Sequence, residues 1–192
     1  MDTKKLILPA ILLVLLIILV IIFFRSDIEK KASSEPERSQ SDAELGLEEQ
    51  RETREVVLFF LSEEDGLFHP EEREIYTDTL LVNQAKQTIE ELVKGPQDEA
   101  ISPLPAETKL RELYITPDGI AYVDFSREIQ ENHLSGSSAE ISTIYAVVNS
   151  LTYNFKSIKR VFILVDGGEQ ETLSGHISLQ RPFLPRYDMI AN

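Results

Sequence analysis

One long hydrophobic run near the N-terminus limits what the first part of this chain can fold into. Leu6 to Phe24 are 19 consecutive uncharged residues, nearly all of them Leu, Ile or Val. At about 1.5 Å per residue, a helix of that length spans roughly 28 Å, close to the ~30 Å hydrocarbon core of a bilayer. The sequence therefore predicts a transmembrane helix within residues 1–25.

A cleaved secretion signal is the alternative interpretation of the run. However, the run exceeds the roughly 7 to 15 residues of a signal-peptide core, and it ends in Phe23-Phe24-Arg25 instead of small residues. Basic residues lie on both sides of it. Because only a five-residue polar head precedes the run, we expect a cytoplasmic N-terminus and an extracytoplasmic C-terminal domain on the cytoplasmic (inner) membrane.

The rest of the chain divides into a polar segment and a longer, more hydrophobic one. Residues 26–55 hold ten acids, five bases and almost no large apolar side chains, which is typical of a flexible tether. Residues 56–187 have a normal length for one domain, and residues 188–192 are predicted as a short tail. The net charge of -14 repels phosphate, so we expect no nucleic-acid partner. With no cysteine, a disulfide framework and thiolate metal sites are excluded.

Periodicity predicts an α+β (α/β) domain. The apolar run 56–61 suggests a central strand, followed by an acidic loop at 62–74 and a short strand at 75–77. Apolar residues at helical spacing in 81–93 predict a helix, which the following Lys-Gly-Pro ends. Two runs, 110–116 and 120–126, flank Pro117-Asp118-Gly119 and predict a hairpin.

A second helix is predicted from Ser137, where the spacing of Ser137 and Glu140 is that of a capping box. Its apolar stripe continues to Phe155, with a polar face expected outward. Residues 159–165 then predict a strand, and a returning strand is expected from Thr172 after a glycine turn. The expected fold is a small, mainly antiparallel or mixed sheet covered by two main helices.

The order of these pieces resembles the GerMN domain. The resemblance rests on the helix ending in Gly95-Pro96, Val-Asp-Phe-Ser in the hairpin, Gly-Ser-Ser before the second helix, Val-Asp-Gly after the last strand and Leu-Ser-Gly-His-Ile at 173–177. It implies an extracytoplasmic, membrane-anchored module associated with sporulation and spore germination, with a fold similar to ring-building motifs and no catalytic residues. The family often carries a lipidated Cys, in whose place this chain has the hydrophobic run.

Candidate catalytic and metal-binding residues are few. His69, His133 and His176 lie in separate segments, and we expect none of them to form a metal or acid-base pair with a side chain two to four residues further along. A structural hydrogen bond is expected for His176. The acids of 63–66 lack the alternating spacing of a calcium loop, and Ser137 and Ser138 are explained by capping. We therefore predict no catalytic site, no metal site and no cofactor.

The leading hypothesis is a module that binds an envelope protein or a copy of itself through an edge strand or outer face. Candidate contact surfaces are Ser62–Glu74, the Pro-rich loop Ala100–Glu107, and Arg181–Tyr187, which we favour as a strap packed on the domain.

Two other functions stay open at this stage. A glycan-binding module would need solvent-facing aromatic rings, which Tyr76, Tyr114, Tyr122 and Tyr187 could supply. A cell-wall enzyme would need acids or a histidine brought together from distant segments.

Overall fold

The computed structural model describes residues 52–191, so the predicted anchor and nearly all of the predicted tether lie outside it. No helix within these residues combines the length and hydrophobicity needed to cross a membrane. The elements, in chain order, are β1 (Thr53–Leu61), β2 (Phe68–Tyr76), α1 (Leu81–Val93), β3 (Leu110–Ile115), β4 (Ile120–Phe125), α2 (Glu128–Glu131), α3 (Ser137–Asn154), β5 (Arg160–Val165) and a 3-10 turn, Tyr187–Met189.

The strands form two small sheets instead of the single sheet expected. β1 and β2 pair antiparallel, while the second sheet has the order β3-β4-β5 with β3 antiparallel and β5 parallel to β4. The α+β class and the two main helices, α1 and α3, agree with the prediction. One cluster of buried apolar side chains connects both sheets and both helices.

Along the edge of β1 that faces away from β2, side chains of α3 form hydrogen bonds with the strand backbone. The prediction that β1 is a central strand was therefore wrong. The Asn154 side chain accepts the N–H of Val57 at 2.9 Å and donates to its carbonyl at 2.7 Å. The Ser150 hydroxyl accepts the N–H of Phe59. β1 also begins at Thr53, so the last residues of the predicted tether belong to the sheet.

The predicted acidic loop is mostly a strand. Only residues 62–67 form a turn, and from Glu71 onward β2 alternates between inward and outward side chains. Arg73 and Ile75 are buried, whereas Glu72 and Glu74 are exposed. The Arg73 guanidinium pairs with Glu71 and donates to the Gly95 carbonyl at 3.1 Å. A charged strand is stable here because its one buried charge is paired.

At both ends of the outer edge of β2, backbone groups already form hydrogen bonds within the domain. Few backbone groups of this edge are therefore left for a partner strand to pair with. The N–H of Ala191 donates to the Phe68 carbonyl at 2.9 Å. At the other end, the Gln87 side chain accepts the N–H of Tyr76 and donates to its carbonyl. Pro70 lies between them and has no N–H to offer a partner strand.

The structure confirms the two predicted helices, the hairpin and the last strand, with bounds that differ by a few residues. The expectation of an outward polar face on α3 was wrong, however, because Asn149 and Ser150 are fully buried. α3 contacts β1, β5 and α1, so neighbours surround most of its circumference.

The chain after β5 differs from the prediction of a returning strand. Turns and bends follow, without a strand at Thr172. The strap forms as predicted: Phe183 exchanges two backbone hydrogen bonds with Val161, at 3.0 and 2.7 Å. Beyond it, Met189 and Ile190 pack against the core, so described residues of the predicted tail belong to the folded domain.

Candidate functional site

A mainly apolar groove lies between the Pro-rich loop Ala100–Glu107 and the first turns of α3. Its volume is about 280 Å³. It is lined by Leu61, Ile101, Ser102, Pro103, Leu104, Pro105, His133, Leu134, Ser138, Ala139, Ser142 and Thr143. The sequence had predicted this loop as a contact surface, and the structure places it along one wall of a concave site, the shape that ligand sites usually have.

Hydrogen bonds from three separate segments hold the Pro-rich loop in place. The N–H of Ile101 donates to the Leu61 carbonyl at 2.9 Å, which joins the loop to the end of β1. The Thr143 hydroxyl of α3 donates to the Pro103 carbonyl. The Asn132 amide, just after α2, donates to the Ala106 carbonyl at 3.2 Å. The groove therefore has a wall that is fixed before any partner binds.

His133 belongs to this wall. Its Nε2 lies 3.0 Å from Thr143 Oγ1 and its Nδ1 lies 2.6 Å from the Leu134 carbonyl oxygen. Both contacts orient the ring, but a hydroxyl and a carbonyl do not make the carboxylate pair that positions a catalytic histidine. The structure thus places His133 in the groove, where its ring contacts a hydroxyl and a backbone carbonyl.

Leu134 stands at the rim of the groove. Its side chain is 76% exposed, more than any other large apolar side chain in the described residues. An exposed apolar residue beside an apolar groove is typical of a binding site. Sequence reasoning missed Leu134, because a single leucine in the polar connection between two helices gives no periodic signal.

Glu140 fixes the segment after β5 against the start of α3. The predicted capping box is absent, since the residue before the helix is Gly136 and no side chain caps the helix. Instead the carboxylate of Glu140 is fully buried and accepts backbone N–H groups from Ser174, His176 and Ile177. Glu140 therefore reaches across to a distant segment and not back to Ser137.

The charge of Glu140 is stabilised by these donors. Burial by itself raises the pKa of this carboxyl, but the hydrogen bonds from Ser174, Ile177 and His176 outweigh it, so that the pKa lies below its usual value. An ionised carboxylate in the first turn also compensates the partial positive charge of the helix N-terminus. The structural hydrogen bond expected for His176 is thus made by its backbone N–H, while its ring is exposed.

His69 has a hydrogen-bond partner four residues before it in the chain, where none was expected. Its Nε2 lies 2.9 Å from Asp65 Oδ2, at the turn between β1 and β2. This hydrogen bond is the main reason that the pKa of Asp65 lies below its usual value. Both side chains are exposed, and in residues 52–191 no group of three His, Asp or Glu side chains is placed to hold a metal ion.

The predicted tyrosines lie on different surfaces. Tyr114 and Tyr122 are opposite each other on β3 and β4, so they share the outer face of that sheet. The Tyr122 ring lies 5.3 Å from that of Phe162 at an angle of 31°. In contrast, Tyr187 meets Tyr153 edge-on and donates its hydroxyl to Thr152.

Comparison with known proteins identifies one family and several similar solved structures. The family model described as "Germane: Sporulation and spore germination" matches residues 57–171. The tandem GerMN domains of the sporulation protein GerM from Bacillus subtilis are 24% identical, with a TM-score of 0.57 over 71% of this chain and 48% of that chain. The first GerMN domain of the same protein is 24% identical, with a TM-score of 0.56 over 70% of this chain and 99% of that chain. No curated protein sequence matches.

Proposed function

This chain belongs to the Germane family of sporulation and spore germination domains, and on that premise we propose that its folded part is a protein-binding module of the cell envelope. The observation that carries the proposal is the groove beside the Pro-rich loop, with Leu134 exposed at its rim. A fold alone does not define a function, so the proposal depends on this site.

The energetics of the groove favour a protein partner. Burying one leucine side chain stabilises a structure or a complex by about 1.5 to 3 kcal/mol. Leu134 is exposed in the free domain, so this free energy is gained only when a partner covers it. Because the opposite wall is held by hydrogen bonds, a partner would lose little free energy in ordering it. An apolar anchor in a preformed groove is the arrangement from which interface hot spots are built.

The polar side chains around the groove support binding over catalysis. The Ser142 hydroxyl donates to the Ser138 carbonyl at 2.9 Å, and the Thr143 hydroxyl donates its one proton to the Pro103 carbonyl. A serine or threonine nucleophile needs a base that removes its proton. His133 Nε2 lies 3.0 Å from Thr143 Oγ1, but the Pro103 carbonyl is already the acceptor for the Thr143 proton.

The proposed module is tethered to the cytoplasmic membrane with the domain outside the cytoplasm. Support comes from the hydrophobic run Leu6–Phe24 and the short polar head before it. Protease added to intact spheroplasts should digest the domain. A domain that is cut only after the membrane is lysed would refute this topology.

Crosslinking in membranes tests the proposed function. The full chain, its Leu134→Ser variant and its Leu184→Ser variant are crosslinked in place, and the products are identified by mass spectrometry. Leu184 is 64% exposed on the strap and is a matched control for an exposed leucine outside the groove. We expect a stoichiometric partner, or a second copy of the chain, that Leu134→Ser loses and Leu184→Ser keeps. If all three proteins give the same products, the groove does not carry the function.

Glycan binding is a second candidate, favoured by the outer face of the three-stranded sheet. Tyr114 is 57% exposed and lies directly across from Tyr122, which in turn contacts Phe162. Cosedimentation of the full chain with purified peptidoglycan tests this function. Loss of binding in Tyr114→Ala, with binding kept in Tyr76→Ala on the other sheet, would support it. Equal sedimentation of both variants would exclude it.

A further inference from the structure

We propose that the groove receives an apolar side chain from a positively charged polypeptide segment. This inference rests on the proposed function and names the chemistry of its partner. It combines the apolar lining of the groove with the charges of residues next to that lining along the chain.

The floor and walls of the groove suit one bulky apolar side chain. Leu104 and Thr143 are almost completely buried beneath it, at 4% and 1% exposure, while Leu134 stands open at the rim. The volume of about 280 Å³ lies near the small end of ligand-binding sites, for which roughly 300 Å³ is the lower limit. The groove is therefore suited to a leucine-sized or phenylalanine-sized side chain more than to a large cofactor.

The charges next to the lining residues have one sign. Four exposed acids, namely Glu63, Glu99, Glu107 and Glu131, each lie within two residues of a lining residue along the chain. No lysine or arginine lies that close in sequence to any lining residue. Acidic surroundings attract cationic segments and repel acidic ones, and this attraction weakens as salt is added.

The helix N-terminus at the groove is the one feature that would favour an anion. Ser138 and Ala139 in the first turn of α3 line the groove, and the partial charge at that end of a helix is positive. However, the ionised carboxylate of Glu140 lies in the same turn and compensates that partial charge. The exposed acids therefore determine the sign of the preferred partner.

Synthetic peptides test the charge and the apolar anchor separately. The full chain is placed in phosphatidylcholine nanodiscs, whose neutral surface does not attract basic peptides. Three amidated, fluorescein-labelled peptides are compared by fluorescence anisotropy: Lys-Lys-Gly-Leu-Phe-Gly-Lys-Lys, the same peptide with Ser-Ser for Leu-Phe, and the same peptide with Glu for every Lys. We expect the first to bind at least tenfold more tightly than either of the others, and less tightly as salt is raised.

Two pairs of variants locate the binding on the domain. Leu134→Ser should lower the affinity for the basic Leu-Phe peptide about tenfold, and Leu184→Ser should leave that affinity unchanged. Glu107→Gln combined with Glu131→Gln should lower the affinity for the same peptide about threefold. Glu72→Gln combined with Glu74→Gln removes two exposed charges from β2 and serves as the charge-matched control.

The proposal is overturned if the acidic peptide binds as tightly as the basic one, if the Ser-Ser peptide binds as tightly as the Leu-Phe peptide, or if Leu184→Ser weakens binding as much as Leu134→Ser. It is also overturned if the basic Leu-Phe peptide does not bind. Failure of the proposed function is a different result, because it shows in the membrane crosslinks. A partner that is lost in Leu134→Ser, together with no preference for basic peptides, would keep the function and reject this inference.

Discussion

A buried carboxylate is stable in a protein only when hydrogen bonds or opposite charges replace the water that it loses. Glu140 meets this condition through backbone N–H groups of Ser174, His176 and Ile177, which point at its two oxygens. The same contacts tie an irregular segment without strand pairing to the first turn of α3. At the residue scale, one side chain thus positions a stretch that has no regular structure of its own.

Replacing Glu140 by glutamine should therefore destabilise the domain strongly. Glutamine has a similar shape, but it loses the charge and turns an NH₂ group towards N–H donors. We expect Glu140→Gln to lower the free energy of unfolding by about 3 kcal/mol. Urea unfolding followed by circular dichroism measures this, with Glu131→Gln as the control for an exposed glutamate. Equal stabilities of the two variants would show that the buried contacts contribute little.

The pKa of Glu140 also predicts how stability depends on pH. Because its pKa in the folded state lies below its ordinary value, ionised Glu140 stabilises the fold fully above that ordinary value, and the stabilisation is lost as pH falls through the lower, folded-state pKa. The gap in unfolding free energy between the natural chain and Glu140→Gln should narrow between about pH 7 and about pH 3. Other acids titrate in both proteins, so their effects cancel in this difference. A gap that stays constant would mean that the pKa of Glu140 is the same in the folded and unfolded states, against the lowered folded-state pKa.

At the scale of elements, the hairpin between β3 and β4 depends on Gly119. Its φ is +85°, a value that side-chain-bearing residues rarely adopt, and a Cβ there would come within 2.6 Å of the Ser157 carbonyl oxygen. Its own carbonyl accepts the N–H of Lys159 at 2.7 Å. The turn therefore packs directly against the chain that leads into β5, so local turn geometry and sheet assembly are linked at one residue.

This close approach separates two glycine substitutions that look alike in sequence. Gly66 has a similar φ of +70°, but nothing lies within 4 Å of the position of its Cβ. Gly66→Ala should cost about 1 kcal/mol, the cost of the backbone conformation alone. Gly119→Ala should cost more than about 2 kcal/mol, since it adds a clash with backbone. Thermal unfolding measures this difference, with a lower melting temperature expected for Gly119→Ala than for Gly66→Ala. Equal melting temperatures would contradict the close approach.

For the whole molecule, the C-terminal segment closes the domain by contacting elements far apart in sequence. Phe183 pairs with Val161 of β5, while the Asn149 side chain of α3 exchanges two hydrogen bonds with the backbone of Arg186. Ala191 then donates to Phe68 of β2. The segment thus bridges both sheets and α3, and it covers apolar surface that the helices leave open.

Removing this segment should destabilise the whole domain. A chain that ends at Gln180 leaves the buried Asn149 amide without these partners and uncovers the core beside Val161. We expect a loss of at least about 3 kcal/mol in urea unfolding. Leu184→Ser, which alters only an exposed side chain of the segment, should stay within about 0.5 kcal/mol of the natural chain. A truncated chain as stable as that control would show that the segment does not close the domain.

The predictability of each part depended on the range of the interactions that form it. The helices α1 and α3 and the hairpin were predictable because their apolar spacing and turn residues are read within a few positions. In contrast, Phe68–Tyr76 looks like a loop, since its buried positions include an arginine and its outward positions are acidic. It becomes a strand because β1 lies beside it and because Glu71 and the Gly95 carbonyl compensate Arg73.

By itself the sequence determined a long N-terminal hydrophobic run, an acidic α+β domain, its two main helices and a family resemblance in residue order. Only the tertiary structure decided that β1 would be flanked by Asn154 and Ser150, that Glu140 would bind a distant segment, and that Leu134 would stand beside an apolar groove. The physical reason is that hydrogen-bond partners and concave surfaces are made by residues far apart in sequence, and local periodicity carries no information about which of them will meet.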